Sequence, residues 1–65
     1  MRYADFDKSI ADLAAKLGLG ISVVTTNTGD YWCLTSDGTV VEATDDWSFV
    51  VEHVEELEQY AKPGL

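Results

Sequence analysis

The sequence predicts an α+β fold: a two-layer α-β-β-β-α domain in which a three-stranded antiparallel sheet carries two helices on one face. Three observations predict it. Apolar residues recur at helical spacing near both ends of the chain. The middle is rich in β-branched and aromatic residues broken by turn signals, and an Asp-Gly pair separates two of those runs. At 65 residues the chain is expected to be a single domain, 1–65, with a thin core. An apolar fraction of 46% is too high for a disordered polyanion, so a folded globule is expected.

Phe6, Ile10, Leu13, Ala14 and Leu17 share one helical face and place the first helix at roughly 4–17. Asp5 suits its cap or first turn, and Gly18 followed by Leu19 suits a left-handed terminus with its apolar contact. Strands follow at 21–26, 31–36 and 39–43, separated by Asn27-Thr28-Gly29-Asp30 and by Asp37-Gly38. Asp-Gly accommodates the positive φ angles of a type I′ turn, which sets Ser36 opposite Thr39, Leu34 opposite Val41 and Trp32 opposite Ala43. A four-residue first turn sets Thr26 opposite Tyr31, Thr25 opposite Trp32 and Val23 opposite Leu34. One face then holds Ile21, Val23, Trp32, Leu34, Val41 and Ala43, the expected core. The other holds Ser22, Val24, Thr26, Tyr31, Cys33, Thr35, Val40 and Glu42, and is expected to lie open. The second helix is expected over 46–61, with Trp47, Val50, Val51, Val54, Leu57 and Ala61 on its buried face. Thr44, Asp45 or Asp46 serves as cap and Pro63-Gly64 as stop. The segment Trp47-Ser48-Phe49-Val50-Val51 reads alternatively as a fourth strand.

Four Lys and Arg stand against twelve Asp and Glu, for a net charge of −8. Arg2, Lys8 and Lys16 lie in the first sixteen residues and the next basic residue is Lys62. Between those limits stand Asp30, Asp37, Glu42, Asp45, Asp46, Glu52, Glu55, Glu56 and Glu58. Such a segment repels a phosphate backbone and an anionic membrane surface, so neither nucleic acid nor membrane is an expected partner. A basic macromolecule is favoured, with association steered by charge; the same acidity also keeps a small protein soluble. No apolar run approaches the ~20 residues of a membrane span, and the opening MRYADFDKS lacks the apolar stretch of a signal peptide. Cys33, the only cysteine, forms no internal disulfide, which fits a reducing cytoplasm.

The second helix carries the strongest pattern. Glu52, Glu55, Glu56 and Gln59 fall at i, i+3, i+4 and i+7 and form one ridge, a spacing at which like charges destabilise a helix by a few tenths of a kcal/mol per pair. That ridge is either a solvated helix face or a contact surface shaped for cations. Asp45 and Asp46 suit the helix N-terminus as well as a partner. Phe49, His53 and Tyr60 flank the apolar stripe, where they close the side of the core or form an aromatic contact rim. The open sheet face, with Val24, Tyr31, Cys33 and Val40, is either ordinary sheet surface or an interface. Catalytic chemistry has little footing: one histidine and one cysteine fall on different elements, no metal-ligand spacing occurs, and the glycines punctuate turns. No enzyme activity, metal or other cofactor is expected.

The order of elements resembles that of double-stranded RNA-binding domains, without their basic contacts. Tyr31-Trp32-Cys33-Leu34, Asp37-Gly38-Thr39-Val40 and Trp47-Ser48-Phe49 before an acidic helix resemble the closing strands and helix of one family of toxin-immunity proteins; the likeness covers about half of this chain. In kind, a very short, strongly acidic α+β domain without catalytic apparatus is similar to the small phage-encoded inhibitors of bacterial defence, anti-CRISPR proteins and DNA mimics among them. That likeness implies a non-enzymatic stoichiometric inhibitor that occupies a basic nucleic-acid groove, as on a CRISPR effector complex, in a host cytoplasm. The residues themselves nominate Asp45, Asp46, Glu52, Glu55 and Glu56 as its charges and Phe49 and Tyr60 as its anchors, on a monomer or weak homodimer. The alternative is a generic interaction module, immunity- or antitoxin-like, that uses the open sheet face.

Overall fold

The two helices begin with the same device. In the computed structural model, which describes residues 1–61, α1 (Lys8–Lys16) is capped by Asp7 and α2 (Trp47–Ala61) by Asp46. Each carboxylate accepts from the backbone N–H and the hydroxyl of the serine two residues on: Ser9 at 2.9 and 2.8 Å, Ser48 at 3.0 and 2.8 Å. Asp-x-Ser thus satisfies one of the orphan N–H groups at each helix start. The expected start of the first helix is corrected accordingly. Residues Tyr3–Asp5 form a separate 3₁₀ turn, Asp5 lies in that turn, and Phe6 precedes the helix. Its end is as expected, with Gly18 in the left-handed region at φ 82° and Leu19 buried behind it.

Between the helices, β1 (Leu19–Thr26), β2 (Gly29–Ser36) and β3 (Thr39–Thr44) form one antiparallel sheet in the order β1-β2-β3. The element order α-β-β-β-α is the expected one, and Trp47–Val51 is helical rather than a fourth strand. Asp37 and Gly38 take φ of 53° and 79°, the type I′ geometry that their identities demand. The first hairpin is tighter than the expected four-residue turn. Thr26 pairs with Gly29 across Asn27-Thr28, so Val23 faces Trp32 and Ile21 faces Leu34. Gly29, at φ 128°, absorbs the turn. The shift is by two residues, so every side chain of β1 keeps its expected face. Val23, however, expected in the core, lies beyond the cover of the helices and is exposed.

β3 departs from the expected register. Thr39 and Val40 pair with Ser36 and Thr35, but Glu42 pairs with Leu34, Ala43 with Cys33 and Thr44 with Trp32. Val41 is the extra residue of a β-bulge, and beyond it the faces exchange. Val41 and Ala43 are therefore exposed and do not belong to the core, whereas Glu42 and Thr44 turn toward the helices. The physical gain is visible at α2: Glu42 Oε2 meets His53 Nδ1 at 2.6 Å, both side chains about 70% covered.

Ala14, Leu19, Trp32, Leu34, Trp47, Val50 and Val54 form the core, with Ile10, Leu13, Leu17, Ile21, Val51 and Leu57 at its margin. Leu34, Val50 and Val54 are fully buried, and burial of such a side chain stabilises by about 1.5–3 kcal/mol. The chain's start closes one end. Phe6 stacks on Trp32 with ring centroids 6.0 Å apart and lies 5.4 Å from Trp47; the two indoles meet edge-on at 4.7 Å. Tyr3 packs edge-on to Trp32 at 6.2 Å while its hydroxyl donates to Asp30. The Trp32 indole N–H is buried without a hydrogen-bond partner among the described residues. The nominated stop Pro63-Gly64, and Lys62, lie outside the described residues.

Candidate protein-binding surface

Helix α2 lays Trp47, Val50 and Val54 on the sheet, which turns Glu52, Glu55, Glu56 and Gln59 outward. All four are exposed, and the ridge implied by their spacing is present on the surface. Among the described residues no Lys or Arg reaches any carboxylate within ion-pair distance; the one such pair is His53 with Glu42. Arg2, Lys8 and Lys16 therefore leave the ridge unneutralised by contact. Glu58, turned toward the core margin, is half-buried and stands apart from it.

The aromatic flank separates into two kinds of residue. His53 is held by Glu42 and ties α2 to β3. Phe49 and Tyr60 do not close the side of the core: they are 53% and 78% exposed. With Glu52 and Glu56 between them at helical spacing, the two rings bracket the carboxylates along one outward face. Tyr60 also borders a shallow groove with Leu17, Leu57 and Ala61. Exposed aromatic rings of this kind are enriched at protein interfaces, where they serve as anchors.

Asp45 and Asp46 take different roles. Asp46 is committed to the helix start, and its bonds from the Ser48 hydroxyl and then the Ser48 N–H hold its carboxyl below the ordinary aspartate range. Its own N–H donates to Thr44 Oγ1 at 3.1 Å. Asp45 is exposed and extends the negative surface past the N-terminus of α2. Asp7 is lowered in the same way by Ser9. Asp30 is lowered chiefly by the Tyr3 hydroxyl, with help from Thr25, and the same bond raises Tyr3.

The sheet face away from the helices carries Ser22, Val24, Thr26, Tyr31, Cys33, Thr35, Val40 and Ala43, with no charged side chain among them. Val24 and Val40 are 43% and 57% exposed. Cys33, expected in the exposed patch, is buried by its neighbours on the central strand. Cys33 and His53 thus lie on opposite sides of the sheet. Among the described residues no group of three His, Cys, Asp or Glu is placed to hold a metal ion, and no helix is long and apolar enough to cross a membrane.

Sequence reasoning missed the Glu42–His53 contact and the Asp7 cap. A lone carboxylate in a β-rich segment and a lone histidine on a helix flank were the signals for the first; Asp-x-Ser repeated at both helix starts was the signal for the second. No protein-family model, curated protein or solved structure matches the chain.

Proposed function

We propose that this protein is a non-enzymatic, stoichiometric inhibitor of the anti-CRISPR kind, acting in the cytoplasm of a host cell. The outward face of α2 enters a Lys/Arg-rich groove of a nucleic-acid-binding complex and competes with DNA for it. The observation that carries this reading is the exposed set Glu52, Glu55 and Glu56, unpaired among the described residues and bracketed by Phe49 and Tyr60. Neighbouring carboxylates on such a ridge stand about 5–6 Å apart at their Cβ atoms, comparable with the phosphate spacing along a nucleic-acid strand. Asp45 lengthens the charged surface, and Asp46 contributes what charge its capping role leaves outward. Binding of this kind releases no counterions from DNA and weakens as salt screens the two surfaces.

The test is a mobility-shift titration of a CRISPR effector complex on its target duplex, with and without the protein. Wild type is expected to release the duplex at one equivalent per site. The folded triple variant Glu52→Lys, Glu55→Lys, Glu56→Lys is expected to lose that effect. Unchanged inhibition by the triple variant overturns the ridge assignment, and no effect of wild type on the effector overturns the anti-CRISPR reading.

A second reading is favoured by one observation, the charge-free sheet face with exposed Val24 and Val40. It makes the protein an immunity- or antitoxin-like module. Under that reading Val40→Glu destroys binding to the partner, whereas salt changes its affinity little.

A further inference from the structure

The two edges of the sheet are built differently. β3 is guarded: the bulge at Val41 breaks its pairing geometry and Glu42 places a carboxylate on it, two of the devices by which natural edges avoid other strands. β1 has no such guard. Its eight residues, Leu-Gly-Ile-Ser-Val-Val-Thr-Thr from Leu19 to Thr26, contain no charge, no proline and no bulge, in a chain with sixteen charged residues. In a two-residue hairpin the pair flanking the loop exchanges both backbone bonds, so Thr26, Val24, Ser22 and Gly20 bond to β2. The N–H and C=O groups of Leu19, Ile21, Val23 and Thr25 therefore point to the outer edge, and no turn, loop or cap among the described residues bonds to them. Toward its tip the β1–β2 ribbon also lacks helical cover: every residue from Ser22 to Gly29 is exposed, on both faces, and the molecule extends 46 Å along its longest axis.

We infer that β1 is a strand-addition edge whose occupant is β1 of a second copy, paired antiparallel about a two-fold axis at Ser22 or Val23 to give a continuous six-stranded sheet. Antiparallel self-pairing satisfies an isologous two-fold contact. Centred at Val23, it sets Val23 against Val23, Ser22 against Val24 and Ile21 against Thr25. Centred at Ser22, it sets Ile21 against Val23 and Leu19 against Thr25. Both centres keep open face with open face, and neither opposes two charges. This self-complementary register selects the occupant, and charge sets where two copies can meet. Two copies of −8 repel across most approaches, and the β1 edge is where a pair can meet with no carboxylate between them. The contact is one strand edge plus the exposed Val23 and Val24 side chains, less than the ~800 Å² per partner of a standard interface. The dimer is accordingly weak, concentration-dependent and strengthened by salt, the reverse of the salt response expected for the acidic α2 face.

Sedimentation equilibrium from about 10 μM to about 1 mM protein, in about 50 and about 500 mM NaCl, tests this. Wild type is expected to show a monomer–dimer equilibrium that tightens at high salt. Val23→Pro removes an outward N–H that the β1–β2 ladder does not use, and is expected to weaken the dimer about tenfold or more. Val23→Lys installs the guard that natural edges carry; its long stem can lie on the apolar surface, so it repeats the test in a chain that retains the β1 backbone. Near-UV circular dichroism of Trp32 and Trp47 reports that each variant is folded. A wild type that stays monomeric at the highest concentration and salt overturns the proposal. So does a dimer unchanged in both Val23 variants. A dimer lost only in Val40→Lys moves the contact to the open sheet face and overturns the edge assignment equally.

Discussion

Helices α1 and α2 share a start and differ in everything after it. Both are capped by Asp-x-Ser. α1 then alternates sign with Lys8, Asp12 and Lys16, and Lys16 stands in its last turn, where a cation complements the helix dipole. α2 carries Glu52, Glu55, Glu56 and Glu58, with no basic residue in its last turn. Helix propensity and electrostatics alone favour the first pattern. What permits the second is burial: α1 inserts one fully buried residue, Ala14, whereas α2 buries Trp47, Val50 and Val54. Packing has enough in hand on α2 to tolerate an arrangement of charge that works against the helix. A surface kept at a cost to its own element is a candidate for function, and the comparison directs attention to α2 rather than α1.

The comparison breaks most sharply at the core. Trp47→Ala removes an indole that meets Trp32, Phe6 and the sheet, and the expected loss is about 3–5 kcal/mol. A domain of this size holds only ~3–10 kcal/mol in total. Chemical denaturation should therefore show little or no cooperative transition for this variant. Ala14→Gly on α1 removes one methyl and about 1 kcal/mol of helix propensity, and should leave a clear transition at lower denaturant. Equal effects would dissolve the contrast between the helices.

The caps come next in size. Asp7→Ala and Asp46→Ala should each lower Tm by a few degrees, in similar amounts, because their bonds are the same. The pH dependence follows with a definite sign. Asp7, Asp46 and Asp30 lie below their ordinary values in the folded chain, so the stability that they confer is present above about pH 4 and is lost as pH falls through the folded values. Tyr3 is raised, so its contribution is complete below about pH 10 and is lost as pH rises beyond the folded value. Thermal melts of wild type, Asp46→Ala and Tyr3→Phe across that range check both limbs: Asp46→Ala should flatten the acid limb, and Tyr3→Phe the alkaline limb together with the part of the acid limb that Asp30 contributes.

These elements also show how far the chain could be read without coordinates. Fold class, element order, the Asp37-Gly38 turn, the left-handed Gly18 and the outward ridge all follow from local rules of period, turn chemistry and spacing, and each stands in the structure. β3 does not, because a bulge is decided by what lies across space. Val41 has the apolar identity of a core residue, yet the bulge leaves it in solvent and turns Glu42 toward His53 eleven residues later. Phe6 similarly fits the helical period of α1 but is claimed by Trp32 and Trp47. The ridge was legible because it is local, and the edge position of β1 follows from the two hairpins; the bare tip of β1 was not legible, because how far the helices reach along a strand is decided across space.

The smallest expected effect is the most discriminating. Glu52 and Glu56 stand at i, i+4, and Glu52 and Glu55 at i, i+3, so each pair opposes α2 by a few tenths of a kcal/mol at low salt. Replacing Glu56 by Lys turns one repulsion into an attraction, and Tm should rise slightly at low ionic strength. The gain should fade as salt screens it, and the salt-induced rise in Tm of wild type should shrink in the variant. A residue that serves only stability should not improve the protein when its charge is reversed. If Glu56→Lys stabilises the fold while weakening inhibition in the mobility-shift titration, the carboxylate is held against the helix's own interest by its partner. If it stabilises the fold and inhibition is untouched, α2 is a solvated face like α1, and function must be sought on the sheet.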